Sequence, residues 1–324
     1  MNEVEGAPMN SRAKGRLVLA VAFALVAMTT SPVRAEDLAS TTEPAADDAD
    51  HAQSLSEINK KLSNPVSDIW SITFQQNNFR VSPGPGENGR WSTNLLLQPV
   101  LPVAVTDDWN LITRPVIPLF VSQPHPEVGR PSKVGRSTAF GDISLFQLIS
   151  PSPKIAGHWL LGVGPTWTFP SAPSDFTGSG KWQVGPAGIV GYLSEKFIVG
   201  ALVQNWWSFA GDDDRSEVAS MNLQPIASYF LKDGWSVGYS GSILANWKND
   251  SSNMWTVPVG MSVAKVAKLG KVPVRFALGL QWMPIQPDRY GQDWNIQLII
   301  APVLPKLIKG NLAEPSSLRF GLKN

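Results

Sequence analysis

The chain has 324 residues, with 27 Lys and Arg against 26 Asp and Glu, no cysteine, 13 Trp, 27 Gly and 27 Pro. Charged residues are only 16% of it, where a soluble domain averages about 25%. Hydrophobic residues nonetheless stop at 43% and mean hydropathy is −0.05, which excludes an α-helical membrane protein. A net charge of +1 gives no footprint for nucleic acid, and the lack of cysteine excludes disulfide scaffolds, thiolate metal centres and cysteine nucleophiles. The histidines, His51, His125 and His158, are too widely spaced for a local metal motif, so neither metal nor cofactor is expected.

Residues 1–35 read as an export signal. Arg12, Lys14 and Arg16 precede an apolar run from Leu17 to Met28, and Val33-Arg34-Ala35 offers small residues for cleavage. The run is too short to cross a bilayer as a helix, which needs roughly twenty residues. Residues 36–53 are acidic, rich in Ala, Ser, Thr and Pro, and without period, and read as a disordered linker. Over 54–66, Leu55, Ile58 and Leu62 share one helical face and Pro65 follows, which predicts a short periplasmic helix that must pack on something.

Residues 67–305 carry the fold. Trp70, Ile72 and Phe74 alternate with Ser71, Thr73 and Gln75; Val272, Val274, Phe276, Leu278, Leu280 and Trp282 alternate with polar or small residues. Similar segments begin near Trp91, Trp109, Ala139, Trp159, Lys181, Phe197, Val218, Trp235, Met254 and Trp294. Side chains of a strand alternate between faces, so each segment has an oily and a polar side. About twelve such segments, each near the roughly nine to eleven residues a tilted strand needs to span a bilayer, predict an all-β, up-and-down antiparallel transmembrane β-barrel. The connections alternate between long polar ones (82–90, 122–138, 170–180, 211–217, 248–253, 285–292) and mostly tight ones (106–108, 151–157, 194–196, 232–234, 267–271). Long external loops and tight periplasmic turns are the pattern of an outer-membrane barrel, and an even strand count leaves both termini in the periplasm. Trp91, Trp109, Trp159, Trp182, Trp235, Trp255 and Trp294 stand at segment starts and Trp207, Trp247 and Trp282 near ends, as two interfacial girdles require. A soluble sandwich or lipocalin-like barrel would carry more charge on its polar faces, which here hold Ser, Thr, Asn, Gln and Gly. Pro99, Pro115, Pro165, Pro186, Pro225 and Pro258 resist this reading, since each removes a ladder hydrogen bond.

Several motifs carry a family likeness: LSNPVSDIWSI (62–72), DDWNLITRPVIPL (107–119), GVGPTWTFPSA (162–172), KWQVGP (181–186), WSFAGDDDR (207–215) and KLGKVPV (268–274). The chain resembles bacterial outer-membrane transporters related to the phenol-degradation meta-pathway protein, some of them mislabelled "neuromedin U". The resemblance spans about 55–305 and implies a Gram-negative outer-membrane protein passing small compounds, aromatic or hydrophobic ones among them. It departs at 306–324, so either 294–305 or a stretch ending at Phe320 closes the barrel.

Alternation puts Arg114, Asp142, Lys181, Arg275, Gln75, Gln98, Asn222, Gln224 and Gln297 on the lumen side. Arg114 and Asp142 lie on sequence-adjacent strands and are expected to pair, because ionisable groups at membrane depth face a polar interior and find partners. Whether that pair touches solute or is purely structural stays open. In the external 211–217 loop, Asp212, Asp213 and Asp214 supply too few oxygens for calcium, which takes six to eight; a solvated loop with Arg215 pairing locally is expected, with partial lipopolysaccharide- or loop-bridging ion binding as the secondary reading. His125 and His158 fall at opposite rims without a nucleophile motif, so no enzyme is expected. A barrel wider than the roughly eight strands that side chains alone fill leaves room for a channel, open or plugged by the helix. The two readings are a substrate-restricted channel and a non-conducting barrel working through its external loops. Expected partners are outer-membrane lipid, periplasmic chaperones and the barrel-assembly machinery, and a small-molecule solute.

Overall fold

The structure, a computed structural model, describes residues 46–82, 88–127 and 130–320. The expected signal peptide, the linker up to residue 45, and residues 83–87, 128–129 and 321–324 lie outside the described residues. A helix, α1 (Ala46–Ser63), leads into β1 (Trp70–Ser82), β2 (Arg90–Ala104), β3 (Trp109–Glu127), β4 (Arg130–Phe140) and β5 (Ile143–Pro151). A short turn of helix, α2 (Pro153–Ala156), precedes β6 (Trp159–Phe169), β7 (Lys181–Leu193), β8 (Phe197–Gly211) and β9 (Ala219–Phe230). Then come β10 (Trp235–Tyr239), β11 (Ile243–Asn246), β12 (Trp255–Leu269), β13 (Val272–Ile285) and β14 (Gly291–Leu304). β4 with β5, and β10 with β11, each act as one barrel strand broken in the middle.

Every neighbour pairs antiparallel, and β1 pairs with both β2 and β14, from Trp70↔Leu304 to Ser82↔Gly291. The result is a closed twelve-strand barrel with no free edge. β14 therefore closes it. The tail beyond forms a two-stranded sheet, β15 (Ile308–Lys309) with β16 (Arg319–Phe320), and lies along the β2–β3 turn. There Leu312 N donates to Ala104 O (3.0 Å) and Ala313 N to Val105 O (2.9 Å).

The outer surface is oily. Val163 (69% exposed), Met261 (62%), Val190 (55%) and Leu280 (53%) stand in mid-strand with nothing packed over them, a surface that only a hydrocarbon solvent tolerates at this extent. Above and below them, Trp109, Trp159 and Trp235 ring one rim, and Trp91, Trp182, Trp207, Trp247, Trp282 and Trp294 the other, all about half-exposed. Ring pairs stiffen these girdles: Trp247 meets Trp255 edge-on at 5.5 Å and Trp282 lies 6.3 Å from Trp294.

The interior differs from the uniformly polar lumen that alternation suggests. Near the periplasmic end Ile112, Phe146, Leu148, Leu160, Ile189, Ile198, Leu202 and Phe230 form a buried apolar cluster inside the barrel. α1 completes this floor. Leu55 is buried, Val66 joins the cluster just past the helix, and Asn59 Nδ2 donates to Gly234 O at the β9–β10 turn (3.1 Å). The helix also starts earlier than residue 54, so 46–53 is not a disordered linker. That stretch, ADDADHAQ, is rich in the best helix former and sets acidic residues where the macrodipole favours them.

The mid-strand prolines coincide with lapses in the ladder. The β2–β3 pairing skips from Leu97↔Ile117 to Leu101↔Thr113 across Pro99 and Pro115, and β5–β6 skips from Phe146↔Thr166 to Ile149↔Val163 beside Pro165. β7–β8 skips from Val184↔Trp207 to Ala187↔Gln204 across Pro186. Pro225 faces the β10–β11 break, and Pro258 sits in the β12–β13 register shift. The glycines before two of these prolines allow close strand approach: a Cβ on Gly164 would lie 1.9 Å from Gln147 O, and one on Gly185 2.0 Å from Asn205 O. The prolines thus occupy gaps and irregularities of the ladder, where no N–H is required.

One expected loop is mostly strand. Residues 122–138 form a hairpin in which β3 and β4 pair through Gln123↔Ser137 and His125↔Gly135, beyond the last β2–β3 pair, Thr93↔Ser122.

Candidate functional site

Above the apolar floor lies a cavity of about 470 Å³ inside the barrel. Residues from α1, Leu62 and Ser63, line it together with inward positions of most strands. Of the residues expected on the lumen face, Gln75, Gln98, Arg114, Asn222, Gln224, Arg275 and Gln297 line this cavity. Lys181 is buried at the external start of β7 but does not line it.

The amides of one wall form a continuous hydrogen-bonded chain. Arg114 Nη2 donates to Gln98 Oε1, Gln98 Nε2 to Gln75 Oε1 (3.1 Å), and Gln75 Nε2 to Asn77 Oδ1 (3.1 Å). Asn77 Oδ1 also accepts from Gln297 Nε2 (3.1 Å), and Asn77 Nδ2 donates to Asn94 Oδ1 (2.8 Å). Asn295 Nδ2, 3.4 Å from Asn77 Oδ1, carries the chain to Gln281 Oε1 (3.2 Å), and Gln281 Nε2 donates to Ser240 Oγ (2.8 Å). Strands β3, β2, β1, β14, β13 and the residue just past β10 are thereby linked through side chains as well as backbone. On the facing wall Gln204 Nε2 donates to Thr166 Oγ1 (3.2 Å). Asn77, Gln281 and Asn295 are not among the expected lumen residues, although alternation sets Gln281 and Asn295 on the polar faces of their strands. Each lies an even number of positions from an inward neighbour on its own strand (Gln75, Arg275 and Gln297), so the same alternation marks them.

The expected Arg114–Asp142 pair does not form. Asp142 sits at the break between β4 and β5 and turns to the external loop, where its carboxylate accepts from Ala172 N (3.1 Å), Ser179 N (2.6 Å) and Ser179 Oγ (2.7 Å). Three short donors in a loop outcompete a guanidinium several residues deeper along the strand. Arg114 instead lies over the Phe146 ring, 5.5 Å from its centroid. The Arg215 side chain likewise does not pair within its own loop, where only its backbone N donates, to Asp212 O (3.2 Å). It reaches across to the carbonyls of Asp175 (2.8 Å), Gly178 (2.6 Å) and Ser179 (3.3 Å), clamping the 170–180 loop that Asp142 holds from the other side. Asp212 accepts from Asp214 N (3.0 Å), and the three aspartates stay exposed at the rim. Nearby, the hydrogen bond from Lys248 Nζ (2.5 Å) holds the Glu217 carboxyl below the usual range, but both groups are exposed and the pair adds little stability.

His125 stacks on Phe176 in the external hairpin (3.6 Å between centroids), and His158 Nδ1 lies 2.9 Å from Leu193 O at a periplasmic turn. The two stand at opposite ends of the barrel. Among the described residues no group of acidic or histidine side chains could hold a metal ion.

Neither a protein-family model nor a curated protein sequence matches the chain. Its fold is similar to the COG4313 outer membrane channel from Pseudomonas putida F1, at 16% identity over 73% of this chain and 96% of that one, with a TM-score of 0.53. Weaker likenesses are to the NanC porin (9% identity, 73% and 99% covered, TM-score 0.43) and the CymD monoaromatic hydrocarbon channel (9%, 78% and 92%, TM-score 0.37). The fold is that of a closed antiparallel membrane β-barrel, as in the COG4313 outer membrane channel.

Proposed function

We propose that the chain is an outer-membrane channel for small amphipathic or hydrophobic solutes, aromatic compounds among them, stopped at its periplasmic end by α1. The observation that carries this reading is the cavity: amide-lined above, apolar below, and floored by Leu62 and Ser63 of a helix tied in through Asn59. A purely structural barrel has no need of a space of about 470 Å³ at its centre. The fold likeness to an outer membrane channel and the motif likeness to the phenol-degradation group support the same class of role. We read the chain as non-enzymatic, because no histidine lines its cavity among the described residues and His125 and His158 stand at opposite rims. Export by residues 1–35, chaperone escort and insertion by the barrel-assembly machinery belong to this reading.

Planar-bilayer recording of the refolded full chain and of a chain lacking 46–64 tests it. Brief, small openings in the full chain and a severalfold larger, steady conductance after deletion are expected. No current from either protein overturns the channel and favours a non-conducting barrel.

A further inference from the structure

The cavity carries charge of one sign only. Arg114 and Arg275 both line it, and no Asp or Glu does so among the described residues. Neither arginine takes part in an ion pair among the described residues. The buried Nε of each has no hydrogen-bond partner. Arg114 commits one donor, to Gln98, and the remaining donors of its guanidinium, like those of Arg275, are left for whatever fills the cavity.

The surrounding amides are neutral and do not balance these two charges. Gln98 Oε1 is taken by Arg114, Gln75 Oε1 by Gln98, and Asn77 Oδ1 by Gln75 and Gln297, while Asn295 Oδ1 on that wall and Asn222 Oδ1 elsewhere in the cavity are buried acceptors without a partner. On the wall opposite, Trp206 Nε1 is one more buried donor without a partner, and Trp206 lines the same cavity. Two cations and an unsatisfied N–H thus face one cavity, in which the unsatisfied acceptors Asn222 Oδ1 and Asn295 Oδ1 are uncharged. Cationic residues inside a membrane barrel are costly unless partnered, and rings of Arg or Lys favour anions in a pore. Apolar groups share that space: the Phe146 ring lies beneath the Arg114 guanidinium, and Val116, Ile226 and Ile299 also line it.

We infer that the cavity is a binding site for a small amphipathic monocarboxylate, its carboxylate held by Arg114 and Arg275 and its apolar body resting against Phe146 and its neighbours. This deepens the channel reading and rests on it for the route by which solute arrives. It would make such acids the selected cargo, with neutral hydrocarbons passing less readily.

Benzoate and benzyl alcohol share a ring and differ in charge, so they isolate the claim. The full chain, refolded in zwitterionic detergent at neutral pH and low salt, is titrated calorimetrically with each probe. Wild type is expected to bind benzoate about tenfold more tightly than benzyl alcohol, a difference of about 1.4 kcal/mol. Arg114→Gln and Arg275→Gln should each shrink that preference at least threefold, and Lys232→Gln, at an exposed periplasmic turn, should leave it intact. Heat-modifiable gel mobility shows that each variant keeps its barrel. Equal binding of the two probes, binding of neither, or a preference that survives both arginine substitutions overturns the inference. Bilayer currents separate the two levels. A protein that binds benzoate but never conducts loses the channel and keeps the site; one that conducts without anion preference and binds both probes alike loses the site and keeps the channel.

Discussion

Leu160 and Leu161 are neighbours on β6 with opposite surroundings. Leu160 is 1% exposed within the apolar cluster, and Leu161 is 40% exposed on the outer face. Replacing either by Ala removes the same hydrocarbon, worth roughly 2 kcal/mol in transfer from water when fully buried. At Leu160 the fixed walls of Ile189, Leu148 and Ile198 cannot close in, so a cavity term adds to the transfer term and the total is about 3–5 kcal/mol. At Leu161 acyl chains flow into the space, which leaves only a transfer loss of roughly 1–2 kcal/mol. Urea titration of protein refolded into phospholipid vesicles, followed by tryptophan emission, measures both. A Leu161→Ala change with no effect would put water outside the barrel. A Leu160→Ala change below about 1 kcal/mol would put water inside the lower lumen. Either outcome defeats the picture of an oily belt over an oily floor.

Asn59→Ala removes the side-chain bond from α1 to Gly234 O and should lengthen channel openings severalfold without lowering the unfolding free energy by more than about 1 kcal/mol, as bilayer recordings and urea titration will show. Asp142→Asn should loosen the 170–180 loop, seen as faster hydrogen exchange at Ala172 and Ser179, while ion selectivity stays unchanged because the residue faces that loop. Gly185→Ala should prevent refolding to the heat-modifiable form, since its methyl would stand 2.0 Å from the Asn205 carbonyl oxygen across the ladder.

The barrel was legible because period-two alternation is forced on any strand with unlike faces, and β3, β6, β7 and β8 begin at Trp109, Trp159, Lys181 and Phe197 where the pattern places them. Alternation also placed Gln75, Gln98, Asn222 and Gln297 around the cavity. It failed where both faces are apolar, as in Trp159-Leu160-Leu161, and where the pattern is inverted, as in Phe146-Gln147-Leu148, whose apolar side chains face in and whose Gln147 lies on the opposite face. The 122–138 hairpin was hidden by its prolines; among the described residues β3 has no β2 partner beyond Ser122, so Pro124 and Pro126 need no donor on that side, and Pro131 stands at the start of β4. Parity could assign Asp142 to a face but not foresee the break after Gly141 that swings its carboxylate to Ser179. The reach of Arg215 across to another loop leaves no local trace in sequence at all.

The absence of cysteine simplifies a direct test of which way the strands face, because single cysteines can be placed and spin-labelled in an otherwise unreactive chain. Labels at Val163, Val190 and Leu280 and at Gln204, Asn222 and Gln281, in protein refolded into vesicles, are compared for accessibility to oxygen and to a water-soluble nickel chelate. High oxygen and low nickel contact at the first set, with the reverse at the second, is the expected result. Nickel contact at Val163, Val190 and Leu280 equal to that at Asn222 would mean that these side chains do not face lipid, and the membrane barrel would fall with them.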